Sequence, residues 1–390
     1  DSGLTGLPWT LLNFYVSNFL IQFFPCIIPM NITAVIAVFR RNLSSYFGSP
    51  SGYVFICAFL LASGLAAFWP QEFFDSNLAN LDQLNKFLPL ILLGFVPAIT
   101  MSIWADERRQ GTDELLLTLP GSDFDVVIGK YLGALAIFTC SLVFSFCANF
   151  IVLSDLGNPD FGLFLSTYLG YWFVGLSMIA IGMVASFLTS NLTVAFVLGV
   201  AFNAPIALLP DSQWGISFNF LDFSRGIISA SGIGFFLSLA FVMLYLSSIL
   251  IGRRHWAGSP QGNKKVAHFL ARVLACLLMA FSITHVLRNN DFVRIDATFE
   301  QLSSLSDGSV ALLDEINQPV EIEAFLSPAE AMPEQYVQTR INLLTALREI
   351  DRESKLVSVN INVITPEDNA SSTAEKYGVS NQNGSNPPLF

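Results

Sequence analysis

A dense cluster of charged residues interrupts the apolar part of this chain at positions 105–120. It reads Ala-Asp-Glu-Arg-Arg-Gln-Gly-Thr-Asp-Glu-Leu-Leu-Leu-Thr-Leu-Pro, in a chain that is 53% hydrophobic and only 13% charged. The apolar runs on either side, 87–104 and 131–153, each have the length needed to cross a bilayer core of ~30 Å. A charged amphipathic segment between two such runs must lie at a membrane face, where it can contact a soluble partner.

The pair Gly129-Lys130 is the nearest approach to a nucleotide-binding motif. A phosphate-binding loop needs a second glycine upstream and a Ser or Thr directly after the lysine. Phe124 and Tyr131 occupy those two positions. We therefore interpret Lys130 as the cytoplasmic start of a span, and any ATP hydrolysis that drives this chain must take place on another subunit.

Other site classes find no support in the sequence. The five cysteines all fall in apolar runs, and His255, His268 and His285 are too far apart to form a ligand set. The net charge is -11, and about sixteen acids against about six bases follow Asn290, so the excess is concentrated in an acidic tail. That balance gives no electrostatic basis for binding nucleic acid.

Hydropathy predicts a multi-pass membrane protein, with a mean hydropathy of +0.57. No acid lies deep within the apolar runs, which disfavours ion coupling. Asn149, Asn203 and Pro205 indicate helix–helix hydrogen bonding and a local kink, or alternatively the lining of a substrate path. The predicted spans are 52–69, 87–104, 130–153, 162–188, 191–209, 230–251 and 266–287.

The distribution of basic residues predicts the orientation of these spans. The alternate loops carry only Lys86 and Arg225, so the richer set is predicted to be cytoplasmic. With seven spans, the acidic tail then lies on the far side, in the periplasm of a Gram-negative cell. The richer set comprises Arg40, Arg41, Arg108, Arg109, Lys130, Arg253, Arg254, Lys264 and Lys265.

Residues 31–47 have the pattern of an amphipathic helix lying along the cytoplasmic membrane face. Arg40 and Arg41 belong to its polar side. Residues 1–29 form a further apolar segment without an initiating Met, and are either non-native sequence or an extra span. The apolar positions of the interfacial helix are Ile32, Val35, Ile36, Phe39 and Leu43.

The acidic tail has the pattern of a second module. Residues 319–326 and 357–363 are predicted strands, with a helix at 333–353 between them, which makes a parallel crossover unit. A third helix is predicted at 372–377. Because two strands do not form a stable sheet alone, we expect this module to be truncated.

The segment from Glu107 to Pro120 resembles one found in ABC transporter permeases of the type-two exporter class. In that family Glu-Arg-Arg-x-Gly-Thr-x-Glu-Leu-Leu-x-Thr-Leu-Pro follows the second span and engages the cytoplasmic ATPase. The alternative is a solvated loop whose arginines only set the topology. Carried onto this chain, the resemblance implies that ATPase coupling depends on Glu107, Arg108, Arg109, Gly111, Thr112, Glu114, Leu115 and Leu116.

Two further segments extend the resemblance. The helix of Arg40 and Arg41, followed by Ser49-Pro50, is similar to the beginning of such permeases, which places Met30 at the family's usual start. The tail segments 302–307 and 319–328 resemble the thioredoxin-like start of the auxiliary protein paired with gliding-motility-type permeases. The tail has no Cys-x-x-Cys motif, which excludes thiol redox chemistry.

The predicted fold is a membrane all-α bundle, six permease spans plus a seventh, followed by a partial α/β, thioredoxin-like periplasmic module. The predicted function is the permease subunit of an ATP-binding cassette exporter in the bacterial cytoplasmic membrane. Its partners would be an ABC ATPase carrying ATP and Mg, a second permease half and the lipid bilayer. The alternative is a scaffold that relays ATPase motion to the periplasm without moving a substrate. The predicted divisions are 1–29, the permease 30–252, a cytoplasmic linker 253–265, the seventh span 266–287 and the auxiliary domain 288–390.

Overall fold

The computed structural model describes residues 31–76, 79–116, 121–208, 214–252, 262–290, 294–299, 307–316, 318–326, 334–354 and 356–363. The apolar segment 1–29 and the predicted tail helix 372–377 lie outside these ranges. The helices are α1 (Ile32–Phe47), α2 (Pro50–Phe68), α3 (Gln71–Ser76), α4 (Asp82–Thr100), α5 (Ser102–Gln110), α6 (Asp113–Leu116), α7 (Asp123–Leu156), α8 (Phe161–Phe187), α9 (Leu192–Ala207), α10 (Ile216–Ser224), α11 (Ala230–Gly252), α12 (Gly262–Asn290), α13 (Asp307–Asp314) and α14 (Glu334–Glu353). The strands are β1 (Ile227–Ser229), β2 (Arg294–Asp296), β3 (Val320–Leu326) and β4 (Val357–Val363).

Helices occupy all seven predicted span positions, but fewer than seven meet the length and composition of a membrane span. Five stretches do: α4 continued by α5, α7, α8, α11 and residues Ala271–Arg288 of α12. A sixth is added if α1 and α2, which meet at a bend of 71°, form one span. The 16-residue α9 is about 24 Å long at 1.5 Å per residue, short of a ~30 Å bilayer core. By length and composition, the described part of the chain supports five to six spans, and the count of seven stays a prediction.

Helix α8 forms the centre of the bundle, with 89% of its apolar window buried. It packs against α4, α7, α9 and α11. Two of its glycines allow this contact, since a Cβ at Gly175 or at Gly182 would collide with Phe138 of α7 or with Thr100 of α4. Small residues at helix interfaces let the backbones approach closely, which is how membrane helices gain packing energy.

Helix α1 lies in a shallow groove on the surface of α7. A Cβ added at Gly129 would lie 2.7 Å from Cβ of Val38, and one added at Gly133 would lie 2.8 Å from Cβ of Asn42. These distances are below any normal carbon–carbon contact. The two glycines, four residues apart on one face of α7, therefore fix the position of α1.

The helix predicted at residues 31–47 is present, and only part of its apolar side packs on the bundle. Val35 and Val38 are buried against the bundle, whereas Ile32 and Ile36 are 62% and 44% exposed. The helical spacing predicted the element correctly. It could not indicate which of two adjacent apolar stripes meets the glycines of α7.

The end of the bundle that carries the tail is closed by a short antiparallel ladder between β1 and β2. Ile227 pairs with Asp296 and Ser229 with Arg294. Gly226, just before β1, has φ of 85°, a left-handed conformation that favours glycine. The ladder joins the chain before α11 to the chain after α12.

The tail forms the strand–helix–strand unit that the sequence predicts. β3 and β4 are parallel, from Val320 opposite Val357 to Leu326 opposite Val363, with α14 as the connection. Arg294 attaches this unit to the bundle, because its guanidinium binds both carboxylate oxygens of Glu349 on α14 and lies 3.8 Å from Asp222 on α10. A thioredoxin-like completion of the module remains a prediction.

The tail and the charged segment lie at opposite ends of α8. The backbone N–H of Phe299, just after β2, donates to Asp160 at the N-terminus of α8. The ring of Trp104 packs 5.4 Å from that of Phe187 at its C-terminus. The intervening helix spans about 40 Å at 1.5 Å per residue, so any communication between the two must pass through the bundle.

Candidate functional site

The charged segment begins at a break in the helix, where α4 gives way to α5 at Met101. A side chain of α8 supplies hydrogen-bond partners for backbone groups at this break. The Ser186 hydroxyl accepts from the N–H groups of Trp104 (3.1 Å) and Ala105 (3.2 Å), and donates to the carbonyl of Met101 (2.9 Å). Because buried backbone groups need partners, Ser186 fixes the start of α5 to the central helix.

The turn between α5 and α6 depends on Gly111. Its φ of 69° is left-handed, and it ends α5. The next N–H, of Thr112, donates to the carbonyl of Glu107 at 3.0 Å, and the helix then resumes at Asp113. Gly111 and Thr112 thus separate two short helices. The Thr112 hydroxyl donates back to the carbonyl of Glu107 (3.4 Å) and does not cap the following helix.

Glu107 connects three helices through its carboxylate. One oxygen is bound by Arg41 of α1, and the other lies 2.7 Å from the ammonium group of Lys130 on α7. The lysine also donates to the carbonyl of Ile103 at 2.6 Å and lies 4.4 Å from the centroid of the Trp104 ring. The Lys130 side chain is wholly buried, while that of Arg41 is 49% exposed.

This arrangement satisfies the conditions under which a buried charge is tolerated. An ammonium group out of water requires an opposite charge and hydrogen-bond acceptors. Glu107 supplies the charge, Ile103 the acceptor, and the Trp104 ring a cation–π contact. We call these residues with Arg41 the Glu107 cluster: Arg41, Ile103, Trp104, Glu107 and Lys130.

Arg108 also points into the protein. Its guanidinium carbon lies 4.1 Å from the centroid of the Phe187 ring on α8, and its Nε is 3.9 Å from Asp113 on α6. Its side chain is only 18% exposed. Arg108 therefore helps to hold α6 and α8 against α5. Its place in a charged segment had suggested that Arg108 projects from the membrane face, but its side chain points inward.

The outward surface of the segment is formed by its other polar residues. Arg109 is 60% exposed and pairs at 2.8 Å with Asp106, one turn earlier. Gly111, Thr112 and Glu114 are exposed as well, and we call these four residues the outer surface: Arg109, Gly111, Thr112 and Glu114.

The structure thus divides the eight candidate residues into two groups. Glu107, Arg108 and Leu116 face inward, with Leu116 only 1% exposed, and the outer surface contains four more. The side chain of Leu115 lies outside the described part. Of the two basic residues predicted on α1, Arg41 reaches Glu107 and Arg40 is exposed.

Lys130 is the residue whose role the sequence analysis missed. It is the eighth residue of α7, so the helix begins two turns before the span start predicted at Lys130. The missed signal lies upstream, where Ser122 and Asp125 form a reciprocal capping box that starts the helix at Asp123. Recognising that box would have placed Lys130 two turns inside the helix.

Asn149, one of the polar residues predicted within the spans, belongs to a hydrogen-bond network between helices. Asn149 donates to the Tyr168 hydroxyl at 2.9 Å, and Ser145 links that hydroxyl (3.0 Å) to Ser63 (2.8 Å). This network joins α2, α7 and α8. Asn203 donates to the carbonyl of Gly199 within α9 at 2.8 Å.

Two family models match parts of the chain. Residues 78–254 match the model of the ABC-2 family transporter proteins. Residues 300–387 match a domain of unknown function (DUF7088). No curated protein is significantly similar to the chain. The first match runs from before α4 to just after α11 and includes the charged segment, which supports a membrane permease component of the ABC-2 type.

Proposed function

We propose that this chain is the permease subunit of an ATP-binding cassette export system and that the outer surface docks on a separate ATPase. The observation that carries the proposal is the combination of an exposed polar surface with buried anchors directly beneath it. Arg109 and Glu114 are available to a partner, while Glu107 and Arg108 on the same two short helices are tied into the bundle. A loop that merely set topology would need no such anchors.

The buried contacts of the charged segment determine which helices would move when the ATPase exerts force on it. Glu107 would transmit this force to α1 through Arg41 and to α7 through Lys130. Arg108 and Ser186 pass it to α8. ATP-driven closure of the ATPase would therefore move these helices as connected rigid bodies between two states. ATP and Mg are bound by the partner, because this chain has no phosphate-binding loop.

The remaining features of the proposal follow from this mechanism. Two ATPase subunits require two permease halves, so the chain forms a homodimer or heterodimer. The basic face, with Arg40 and Arg109, is cytoplasmic, and the tail is periplasmic in a bacterial inner membrane. The resemblance of the tail segments 302–307 and 319–328 to auxiliary proteins of gliding-motility-type permeases supports an assignment of the system to that group.

The experiment is site-specific crosslinking in native membranes. A photoreactive residue at Glu114 is expected to capture a polypeptide that contains a phosphate-binding loop and binds ATP, identified by mass spectrometry. The same probe at Leu156, exposed at the other end of α7, is the matched control and should not capture it. Micromolar ATP binding by the purified chain itself, or equal capture at both positions, would refute the proposal.

A second candidate function is mechanical, and the attachment of the tail favours it. Arg294 links Glu349 of the tail to Asp222 of the bundle, so motion of α10 would reach α14 without passing through a substrate. Arg294→Gln tests this, since it should release the tail while leaving ATPase association intact. Substrate export that persists at the wild-type rate in this variant would favour the permease. Loss of a periplasmic output from a chain that exports no substrate would favour the relay.

A further inference from the structure

Two cavities meet at the tail end of the bundle, far from the outer surface. One has a volume of about 530 Å³ and lies between α10, the end of α12 and α14. The other, about 420 Å³, lies between α11 and α12. Thr284 lines both, and its hydroxyl is 3.5 Å from that of Ser238, which also lines the second cavity.

The first cavity is lined by arginines from three different elements. Arg225 follows α10, Arg288 ends the apolar stretch of α12, and Arg348 belongs to α14. The Arg288 guanidinium stacks 4.4 Å from the centroid of the Phe218 ring. Within the described ranges, neither Arg288 nor Arg348 forms an ion pair.

The acids that line the same cavity are largely engaged elsewhere. Glu349 is bound by Arg294 through both oxygens, and Asp222 lies 3.8 Å from the same guanidinium. Asp351 accepts from the backbone N–H of Val359 at 2.7 Å. Three arginines and three acids line the cavity, and Arg294, outside the lining, engages Glu349 and Asp222, so Arg288 and Arg348 remain available to an anion.

The second cavity is almost entirely apolar and lies along membrane-length helices. Its walls include Phe235 and Leu239 from α11 and Leu274, Leu277 and Phe281 from α12. The apolar stretches of α11 and α12 both qualify as membrane spans. An alkyl chain in this cleft would contact apolar side chains along its length, which favours binding by ~0.8 kcal/mol per buried CH₂.

We propose that the two cavities together bind one anionic amphiphile of the phospholipid type. The alkyl chain occupies the cleft between α11 and α12, and the headgroup phosphate is bound by the arginines beyond Thr284. A guanidinium binds phosphate through two parallel hydrogen bonds, which an ammonium group cannot do. The site is independent of the ATPase coupling proposed above, since it lies at the opposite end of α8.

The test uses the purified full-length chain in a neutral detergent, titrated with fluorescent tail-labelled phosphatidylglycerol. Unlabelled phosphatidylglycerol, phosphatidylcholine and soluble glycerol phosphate serve as competitors. Phosphatidylglycerol is expected to compete at least tenfold better than phosphatidylcholine, and glycerol phosphate only weakly. Equal competition by the two lipids would overturn the requirement for an anion. Equal competition by glycerol phosphate would overturn the requirement for an alkyl chain.

Variants assign the binding to these residues. Arg288→Gln with Arg348→Gln should weaken phosphatidylglycerol at least tenfold and leave phosphatidylcholine unchanged. Ala280→Trp, which fills the apolar cavity, should weaken both. The lysine pair Arg288→Lys with Arg348→Lys, which keeps charge and fold, should give an intermediate affinity. Arg40→Gln removes an exposed arginine at the other end and is the matched control. Wild-type affinity in the glutamine pair, or in the filled cavity, would refute the site.

Discussion

The ammonium group of Lys130 on α7 lies 2.7 Å from the carboxylate of Glu107 on α5, with the lysine side chain wholly buried. This pair connects the segment we assign to ATPase docking with a helix that crosses most of the bundle. Because Lys130 is buried, its ammonium group depends on Glu107 for compensation, whereas Glu107 keeps Arg41 as a second partner.

Glu107→Ala is expected to destabilise the protein by about 3–5 kcal/mol, because it leaves the buried Lys130 amine without its opposite charge. Lys130→Met together with Glu107→Gln should recover most of this loss, since both charges are then absent. Thermal unfolding of the detergent-solubilised protein provides the measurement. Arg109→Ala, at an exposed ion pair, is the control and should change stability by less than about 0.5 kcal/mol. A loss in the double variant equal to the sum of the losses in Lys130→Met and Glu107→Gln would mean that the two charges are not coupled.

Gly129→Leu should displace α1 from α7, because a Cβ there would lie 2.7 Å from that of Val38. A disulfide between cysteines placed at Ala34 and Gly121 reports the contact, since a Cβ at Gly121 would lie 3.3 Å from that of Ala34. The crosslink should form in a cysteine-free background and be lost with Gly129→Leu. Gly94→Leu is the control, because no atom lies within 4 Å of its added Cβ. An undiminished crosslink in the Gly129 variant would contradict the packing.

Arg108 and Arg109 should behave differently although they are adjacent. Arg108→Glu removes a largely buried cation–π contact with Phe187 and should lower the unfolding temperature. Arg109→Glu with Glu114→Lys alters only exposed groups, so it should preserve stability and weaken ATPase association. Size-exclusion profiles, melting temperatures and co-purified ATPase activity distinguish the two. If ATPase association were unchanged in the surface variant, the segment would serve only to set the membrane topology.

The proposed sidedness can be tested with an impermeant thiol reagent. Single cysteines at Glu114 and at Ser358, which is exposed on β4, are placed in a cysteine-free background. In cells with a permeabilised outer membrane, Ser358→Cys should be labelled and Glu114→Cys should not. Both should react once the inner membrane is also opened, which shows that each thiol is accessible. Labelling of both in the intact inner membrane would place the tail and the segment on one side.

Long apolar runs and alternating strands predicted most of the architecture. Helices occur at every predicted span, and the strand–helix–strand order of the tail is confirmed. Both could be predicted because each pattern depends only on the spacing of apolar residues within one helix or strand. The 16-residue α9 shows the limit of this approach. Hydropathy extended its span to residue 209, whereas the helix ends at Ala207.

The candidate site was predicted only in part, for a physical reason. The break at Gly111 is encoded locally, since a glycine at the end of a helix favours the left-handed conformation. The direction of a charged side chain depends on residues distant in sequence. Neither Phe187, which receives Arg108, nor Lys130, which pairs with Glu107, could be inferred from the segment itself.

The ladder of β1 and β2 forms only after both intervening helices have been synthesised. β1 is synthesised before α11, but its partner β2 emerges only after α12 has been made. Until then β1 has an open edge. Once the three residue pairs form, the two intervening helices are closed into a loop whose ends are joined. Helix α12 has only 11% of its apolar window buried, so the ladder adds a second attachment to α11 beyond the packing of Cys276 against Val242 and Tyr245.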